Sequence, residues 1–183
     1  MHTAMSTDSS KRHSEKLLVV IDMQKDFVTG SLGSDEAQAV VQEVRKTIQE
    51  WDGQLAYTLD THDEKYLQTS EGKALPVEHC IAGSIGHELV DELKDLLKDA
   101  KAFEKPTFGS VALATWIAGN PDLELVELIG VCTDICVVSN ALLIKAMRPE
   151  LAVRVIGSSC AGTTTDRHRA ALETMMSCQI EVF

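Results

Sequence analysis

A cysteine at a predicted junction between a strand and a helix is the residue of this chain best suited to covalent chemistry. Cys136 lies in the segment GVCTDICV, residues 130–137, between an apolar run (123–130) and a helical pattern (133–147). The backbone N–H groups and the positive end of the helix dipole at such a junction stabilise a thiolate and a developing oxyanion. Cys136 is therefore a candidate nucleophile. The alternative is that it is a small hydrophobic residue buried in the helix.

A second group of residues has the chemistry of a metal site. Asp60 and His62 are two apart at the end of a predicted strand, so their side chains project to the same side. Glu71 and His79 follow in the aperiodic stretch 61–84. Two imidazoles with carboxylates suit Zn²⁺, Fe²⁺ or Mn²⁺. Spacing alone leaves Glu64 and His87 as competing ligands, although we expect His87 to lie on the surface.

The elements that position these groups alternate along the chain. Short apolar runs predict strands, and apolar residues at helical spacing predict the intervening helices. Strands are predicted over 17–22, 54–60, 102–104, 123–130, 152–157 and 179–183, and helices over 35–51, 86–99, 110–118, 133–147 and 165–177. This order predicts an α/β fold of three layers, a mostly parallel six-stranded sheet with helices on both faces. In such sheets the active site lies at the carboxyl ends of the strands, where Asp22, Asp60, Lys105 and Cys136 fall.

Composition excludes several classes of protein. The chain has 183 residues, 17 basic and 28 acidic, and its net charge of −11 argues against a nucleic-acid partner. No apolar run approaches the roughly 20 residues of a membrane helix, so no membrane partner is expected. Five cysteines, an odd number, fit a reducing compartment and predict a cytoplasmic protein. Residues 1–15 are predicted to be a disordered leader, and 16–183 a single domain.

Three motifs in order, each at a predicted strand end, resemble the isochorismatase-like cysteine hydrolases, and among them the nicotinamidases. They are VVIDMQKDF (19–27), FEKPTFGS (103–110) and GVCTDICV (130–137). The resemblance extends from about residue 17 to the C-terminus. It implies hydrolysis of a small-molecule amide, nicotinamide in the first instance, in NAD salvage, by a protein that forms homo-oligomers.

The resemblance also implies roles for individual residues. Cys136 is the expected nucleophile, Asp22 its general base and Lys105 the third member of a Cys-Asp-Lys triad. The resemblance further implies a cis peptide bond between Val131 and Cys132, with the N–H groups of Cys132 and Cys136 forming an oxyanion hole.

In the nicotinamidase branch the resemblance implies a metal site and an aromatic contact to the substrate ring. The expected ligands are Asp60, His62, Glu71 and His79, with zinc as the expected ion and iron or manganese as alternatives. Phe27 and Phe108 are candidate substrate-binding aromatics, although either could be a core residue.

Two other functions remain open. One is another amidase or ureido-hydrolase of the same family, with a degenerate or structural metal site. The other is a catalytically silent or redox-responsive binding protein that uses the C-x₃-C pair, Cys132 and Cys136.

Overall fold

A central sheet of six parallel strands organises the molecule, in a computed structural model that describes residues 15–183. The strands are β1 (Lys16–Ile21), β2 (Gln54–Asp60), β3 (Lys101–Lys105), β4 (Leu125–Val131), β5 (Ala152–Ala161) and β6 (Glu181–Val182). Their order in the sheet is β3-β2-β1-β4-β5-β6, and every neighbouring pair is parallel. The α/β fold predicted from the alternating pattern is confirmed. The predicted leader lies outside the described residues except for Glu15.

Seven α-helices connect the strands within residues 15–183. They are α1 (Lys25–Val28), α2 (Asp35–Glu50), α3 (Ser70–Ala74), α4 (Asp91–Leu97), α5 (Val111–Ala118), α6 (Val138–Met147) and α7 (Thr165–Ser177). A 3₁₀ turn (Tyr66–Gln68) precedes α3, and a π turn (Thr133–Val137) precedes α6. None of the helices in this part of the chain is long and apolar enough to cross a membrane.

The strands bury side chains on both faces, which is why they read as continuous apolar runs. In β1, Leu17, Val19 and Ile21 pack with α5, α6 and α7 on one face. Leu18 and Val20 pack with α2 and α4 on the other. The sheet is therefore the middle layer of three.

One predicted helix is shorter than its pattern. Residues 86–99 have helical spacing, but the helix begins only at Asp91. The preceding segment is held by backbone hydrogen bonds to the first motif, from Lys25 N–H to Glu88 O (2.9 Å), Asp26 N–H to Gly86 O (3.0 Å) and Val90 N–H to Met23 O (3.0 Å). These tertiary hydrogen bonds outweigh local propensity. The prediction of helix over 86–90 was wrong.

Candidate active site

Asp22 follows β1 directly and is fully buried. Its backbone has a φ of 47°, a left-handed conformation that is uncommon outside glycine and asparagine and is often found at functional sites. The Thr58 hydroxyl, on the neighbouring strand β2, donates to Asp22 Oδ1 at 2.6 Å. Asp22 is thus positioned by the neighbouring strands β1 and β2.

Lys105 ends β3 and points its ammonium across the edge of the sheet. Its side chain is 2% exposed, and Nζ lies 2.6 Å from Asp22 Oδ2, 3.3 Å from Asp60 Oδ1 and 3.5 Å from Cys136 Sγ. A buried ammonium with two carboxylates compensates part of its desolvation cost through their charges. Although burial opposes it, the negative charges of Asp22 and Asp60 raise the pKa of Lys105, so it stays protonated.

Cys136 lies in the π turn that follows β4, and 5% of it is exposed. The peptide bond between Val131 and Cys132 is cis. Gly130 has a φ of 114°, and a Cβ there would collide with the backbone of Ile21, so the position requires glycine. The close approach of β4 to β1 brings Cys136 next to Asp22.

The thiol of Cys136 is held in its neutral form. Burial and the negative charge of Asp22 raise the pKa of Cys136 well above the ordinary value, and Lys105 opposes this only in part. Burial also raises the pKa of Asp22, while Lys105 counteracts it. The thiolate expected beside Lys105 and the helix N-terminus is therefore disfavoured in this environment. Asp22, whose charge acts directly on the sulfur, is chemically able to accept its proton.

Four predicted ligands converge beside this group. The ligand atoms of Asp60, His62, Glu71 and His79 all lie within 4.8 Å of one another. His62 Nε2 is 2.9 Å and His79 Nε2 3.4 Å from Asp60 Oδ2, and both imidazoles lie within 3.9 Å of Glu71 Oε1. Two nitrogen and two oxygen donors directed at one point fit a divalent cation of the zinc, iron or manganese type.

The surroundings of these ligands also fit a metal site. His79 Nδ1 lies 2.8 Å from the Val77 carbonyl, which leaves Nε2 free to act as a ligand. The buried amide of Gln24 pairs with both backbone groups of Asp60, donating to its carbonyl (2.9 Å) and accepting from its N–H (2.7 Å). Gln24 therefore fixes the backbone of Asp60 as a neighbouring strand would.

The two candidate substrate-binding aromatics occupy different environments. Phe27 is half-buried, with its ring centroid 5.5 Å from that of His79. Phe108 is 46% exposed, so it is not a core residue. An open cleft of about 510 Å³ borders His62 and Tyr66 and extends to Pro106 and Thr107, the residues that follow Lys105. It gives access to the candidate metal site.

The competing ligands lie outside the cluster. Glu64 is exposed. His87 is half-buried rather than on the surface, because its Nε2 lies 2.8 Å from the Thr61 hydroxyl. The geometry selects Glu71, and not Glu64, as the glutamate of the group.

Several buried polar residues of the site had no role in the sequence analysis. Tyr66 is buried, with its ring 4.7 Å from that of His62 and 4.9 Å from that of His79, and its hydroxyl donates to Leu75 O at 2.9 Å. Gln24 lies within the first motif, which was the only signal for it. Thr58, Tyr66 and Asn140 make contacts that no spacing pattern reports.

Comparison with known proteins places this geometry in a family. The isochorismatase domain model matches residues 16–183. The nicotinamidase/pyrazinamidase of Mycobacterium tuberculosis is 25% identical over 184 residues, which cover 91% of this chain and 97% of that protein.

Solved structures have the same fold. The pyrazinamidase of Pyrococcus horikoshii, solved in complex with zinc, is 27% identical with a TM-score of 0.79, over 92% of this chain and 98% of that one. The pyrazinamidase/nicotinamidase of Streptococcus mutans is 24% identical with a TM-score of 0.82, over 92% and 99% of the two chains.

Proposed function

The chain belongs to the isochorismatase family, and we propose that it is a metal-dependent cysteine amidohydrolase that converts nicotinamide and water to nicotinate and ammonia. The observation that carries the proposal is the position of Lys105, whose ammonium contacts Asp22, Asp60 and Cys136 together. The candidate nucleophile, its base and the metal-ligand set therefore belong to one site. Relatives described as nicotinamidase or pyrazinamidase support the choice of substrate.

Cys136 is the proposed nucleophile. Asp22 accepts the thiol proton as the sulfur attacks the amide carbon, which turns the carbonyl oxygen into an oxyanion. The N–H groups of Cys132 and Cys136 donate to that oxyanion. Protonated Asp22 then delivers its proton to the departing nitrogen, so ammonia leaves and a thioester remains on Cys136.

Water completes the cycle. Asp22, again ionised, accepts a proton from a water molecule that attacks the thioester carbon, and the sulfur leaves with that proton. Lys105 stays protonated throughout and stabilises the ionised form of Asp22 before each transfer. The neutral resting thiol fits this scheme, because proton transfer and attack are coupled in it.

Asp60, His62, Glu71 and His79 are the proposed ligands of a divalent cation, with zinc the expected ion and iron or manganese the alternatives. When bound, the cation supplies a Lewis-acidic position for the pyridine nitrogen of the substrate. Phe27 beside His79 is the proposed ring contact, and Phe108 lies at the proposed rim of the substrate site. Homo-oligomer formation, a cytoplasmic location and a role in NAD salvage stay predictions.

The experiment that tests this function is ammonia release from nicotinamide by the purified protein. The assay is run before and after chelation, and again after Zn²⁺, Fe²⁺ or Mn²⁺ is restored. We expect release that stops on chelation and returns with metal. Absence of release with every metal refutes nicotinamide as the substrate, and other amides and ureido compounds are then assayed in the same way.

Cys136→Ala tests the nucleophile in the same assay. We expect no turnover but unchanged zinc binding, since Cys136 is not among the four proposed ligands. Cys178→Ala is the matched control, because Cys178 is exposed at the end of α7. Substantial activity in Cys136→Ala would refute the thioester mechanism.

A further inference from the structure

A buried asparagine joins the nucleophile turn to the loop that follows Lys105. Asn140 lies in α6, four residues after Cys136, and is 1% exposed. Its Nδ2 donates to Cys136 O at 2.8 Å and to Phe108 O at 3.1 Å, and its Oδ1 accepts from Ser110 N–H at 2.9 Å. The side chain thus uses both donors and its acceptor on backbone groups.

The bond to Cys136 lies where the helical hydrogen-bond ladder changes spacing. The Cys132 carbonyl accepts from both Ile135 N–H and Val137 N–H, each at 3.1 Å, which marks the π turn. Regular α-helix begins only at Val138. The Asn140 amide adds a side-chain donor to the Cys136 carbonyl at this change of hydrogen-bond spacing.

The other two bonds hold segment 108–110, which begins three residues after Lys105. Ser110 is the N-cap of α5, where its hydroxyl accepts from Leu113 N–H at 3.2 Å. Phe108 in this segment is the exposed aromatic at the proposed rim of the substrate site. The conformation of the segment therefore depends on Asn140, which bonds to both of its ends, and on the α5 cap at Ser110.

We propose that Asn140 is a positioning residue, which sets the distance between the Cys136 thiol and the Phe108 segment by holding both backbones with one amide. The proposal rests on the proposed function, because it assigns Cys136 as nucleophile and Phe108 to the substrate rim. Asn140 acts through backbone atoms and takes no part in proton transfer. An aspartate cannot replace it, since a carboxylate cannot donate to two carbonyl oxygens.

Asn140→Ala removes all three bonds. We expect kcat for ammonia release to fall by about 10- to 100-fold per folded protein, the scale for a misplaced catalytic group. We expect the rate at which iodoacetamide alkylates Cys136, identified by peptide mass spectrometry, to fall by at least about fivefold. Asn120→Ala is the matched control, because Asn120 Nδ2 donates to the carbonyl four residues earlier, Trp116 O at 3.1 Å, far from the site.

Asn140→Ser separates the two halves of the role and serves as the test if Asn140→Ala does not fold. A serine hydroxyl can bond to the carbonyl four residues earlier but is too short to reach segment 108–110. We expect wild-type alkylation of Cys136 with a raised KM and a smaller loss of kcat. If Asn140→Ser instead lowers kcat and the rate of Cys136 alkylation equally and leaves KM unchanged, the bond to Cys136 and the bonds to segment 108–110 do not have separate roles.

The outcomes distinguish this inference from the proposed function. If the wild-type protein releases ammonia and Asn140→Ala matches it in kcat and in alkylation rate, the positioning role is overturned. If the wild-type protein releases none from nicotinamide, the proposed function fails. A slower alkylation of Cys136 in Asn140→Ala still supports the positioning of the thiol in that case.

Discussion

Replacing Lys105 by methionine tests the charge balance on which the candidate site depends. The substitution keeps side-chain length and removes the ammonium that lies 2.6 Å from Asp22 and 3.3 Å from Asp60. With an effective dielectric constant of about 20, Coulomb's law gives roughly 6 and 5 kcal/mol for these two attractions. Desolvation of the three groups offsets much of that sum, and removing one partner of a buried pair costs about 3–5 kcal/mol net.

The expected result is a folded but weakened and inactive protein. A loss of about 3–5 kcal/mol is a large part of the 5–15 kcal/mol typical of a domain, and it lowers Tm by about 6–20 °C for a chain of this size. Without Lys105 the pKa of buried Asp22 rises further, so a smaller fraction of the carboxyl is ionised and able to accept the thiol proton. We expect kcat to fall at least about 10³-fold.

The carboxyl of Asp22 also determines how the stability of Lys105→Met changes with pH. A raised folded-state pKa means that the folded protein binds more protons than the unfolded chain above the ordinary value of 3.8. Stability from this group is therefore lost as pH rises. Urea unfolding of metal-free Lys105→Met is expected to show a larger deficit against wild type at pH 8 than at pH 5.

Two further variants make the reasoning refutable. Lys101→Met is the matched control, since Lys101 is exposed at the start of the same strand. The double variant Asp22→Asn, Lys105→Met removes one of the unpaired charges, so it is expected to be more stable than Lys105→Met while staying inactive. A single variant whose free energy of unfolding is within about 0.5 kcal/mol of wild type, or that keeps its kcat, refutes the proposed role of Lys105.

Three other perturbations have defined outcomes. Glu71→Gln is expected to weaken Zn²⁺ binding at least about tenfold in calorimetric titration. Glu64→Gln is the control, because Glu64 is exposed and outside the cluster, and it should leave Zn²⁺ binding unchanged. Equal effects of the two substitutions would refute Glu71 as a ligand. Gly130→Ala is expected to lower the free energy of unfolding in urea by more than about 2 kcal/mol, because the added Cβ would collide with the backbone of the neighbouring strand. Gly83 also has a positive φ but faces open space, so Gly83→Ala is expected to cost only about 1 kcal/mol. Burial lowers the pKa of His168 below its ordinary 6.5. The stability that this group contributes is therefore present above pH 6.5 and is lost as pH falls below that value. His168→Gln is expected to flatten that part of a plot of Tm against pH.

The elements of the sheet could be predicted because both faces of each central strand are buried. The run 54–60 matches β2 (Gln54–Asp60), and the run 165–177 matches α7 (Thr165–Ser177). The edges were less predictable. β5 (Ala152–Ala161) continues four residues beyond the predicted end. Its pairing with β4 has a register shift between Leu128 and Gly130, and beyond that shift Cys160 pairs with Gly130 and Ala161 with Val131.

The candidate site could be predicted only in part, because residue type and spacing report local chemistry. Asp60 and Lys105 end their strands and Cys136 follows β4, so their grouping follows from a parallel sheet, whereas Glu71 and His79 come from α3 and the loop after it. Thr58 and Asn140 are ordinary polar residues. Thr58 bonds to Asp22, which lies 36 positions away in the sequence, and Asn140 bonds to Cys136 in a π turn. The environment of the thiol was also unpredictable, because its pKa depends on how deeply the fold buries it.

The carboxylate of Asp60 joins the two halves of the site. One oxygen faces Lys105 and the other faces His62 and His79. Both sides lower the pKa of Asp60 although burial alone would raise it, so the group is ionised at neutral pH. Because Gln24 fixes its backbone, Asp60 cannot move towards one side without weakening its contact with the other. Asp60 would hold a bound cation with one oxygen while its other oxygen faces Lys105, so one buried carboxylate and one ammonium connect the proposed metal ligands to the proposed base Asp22.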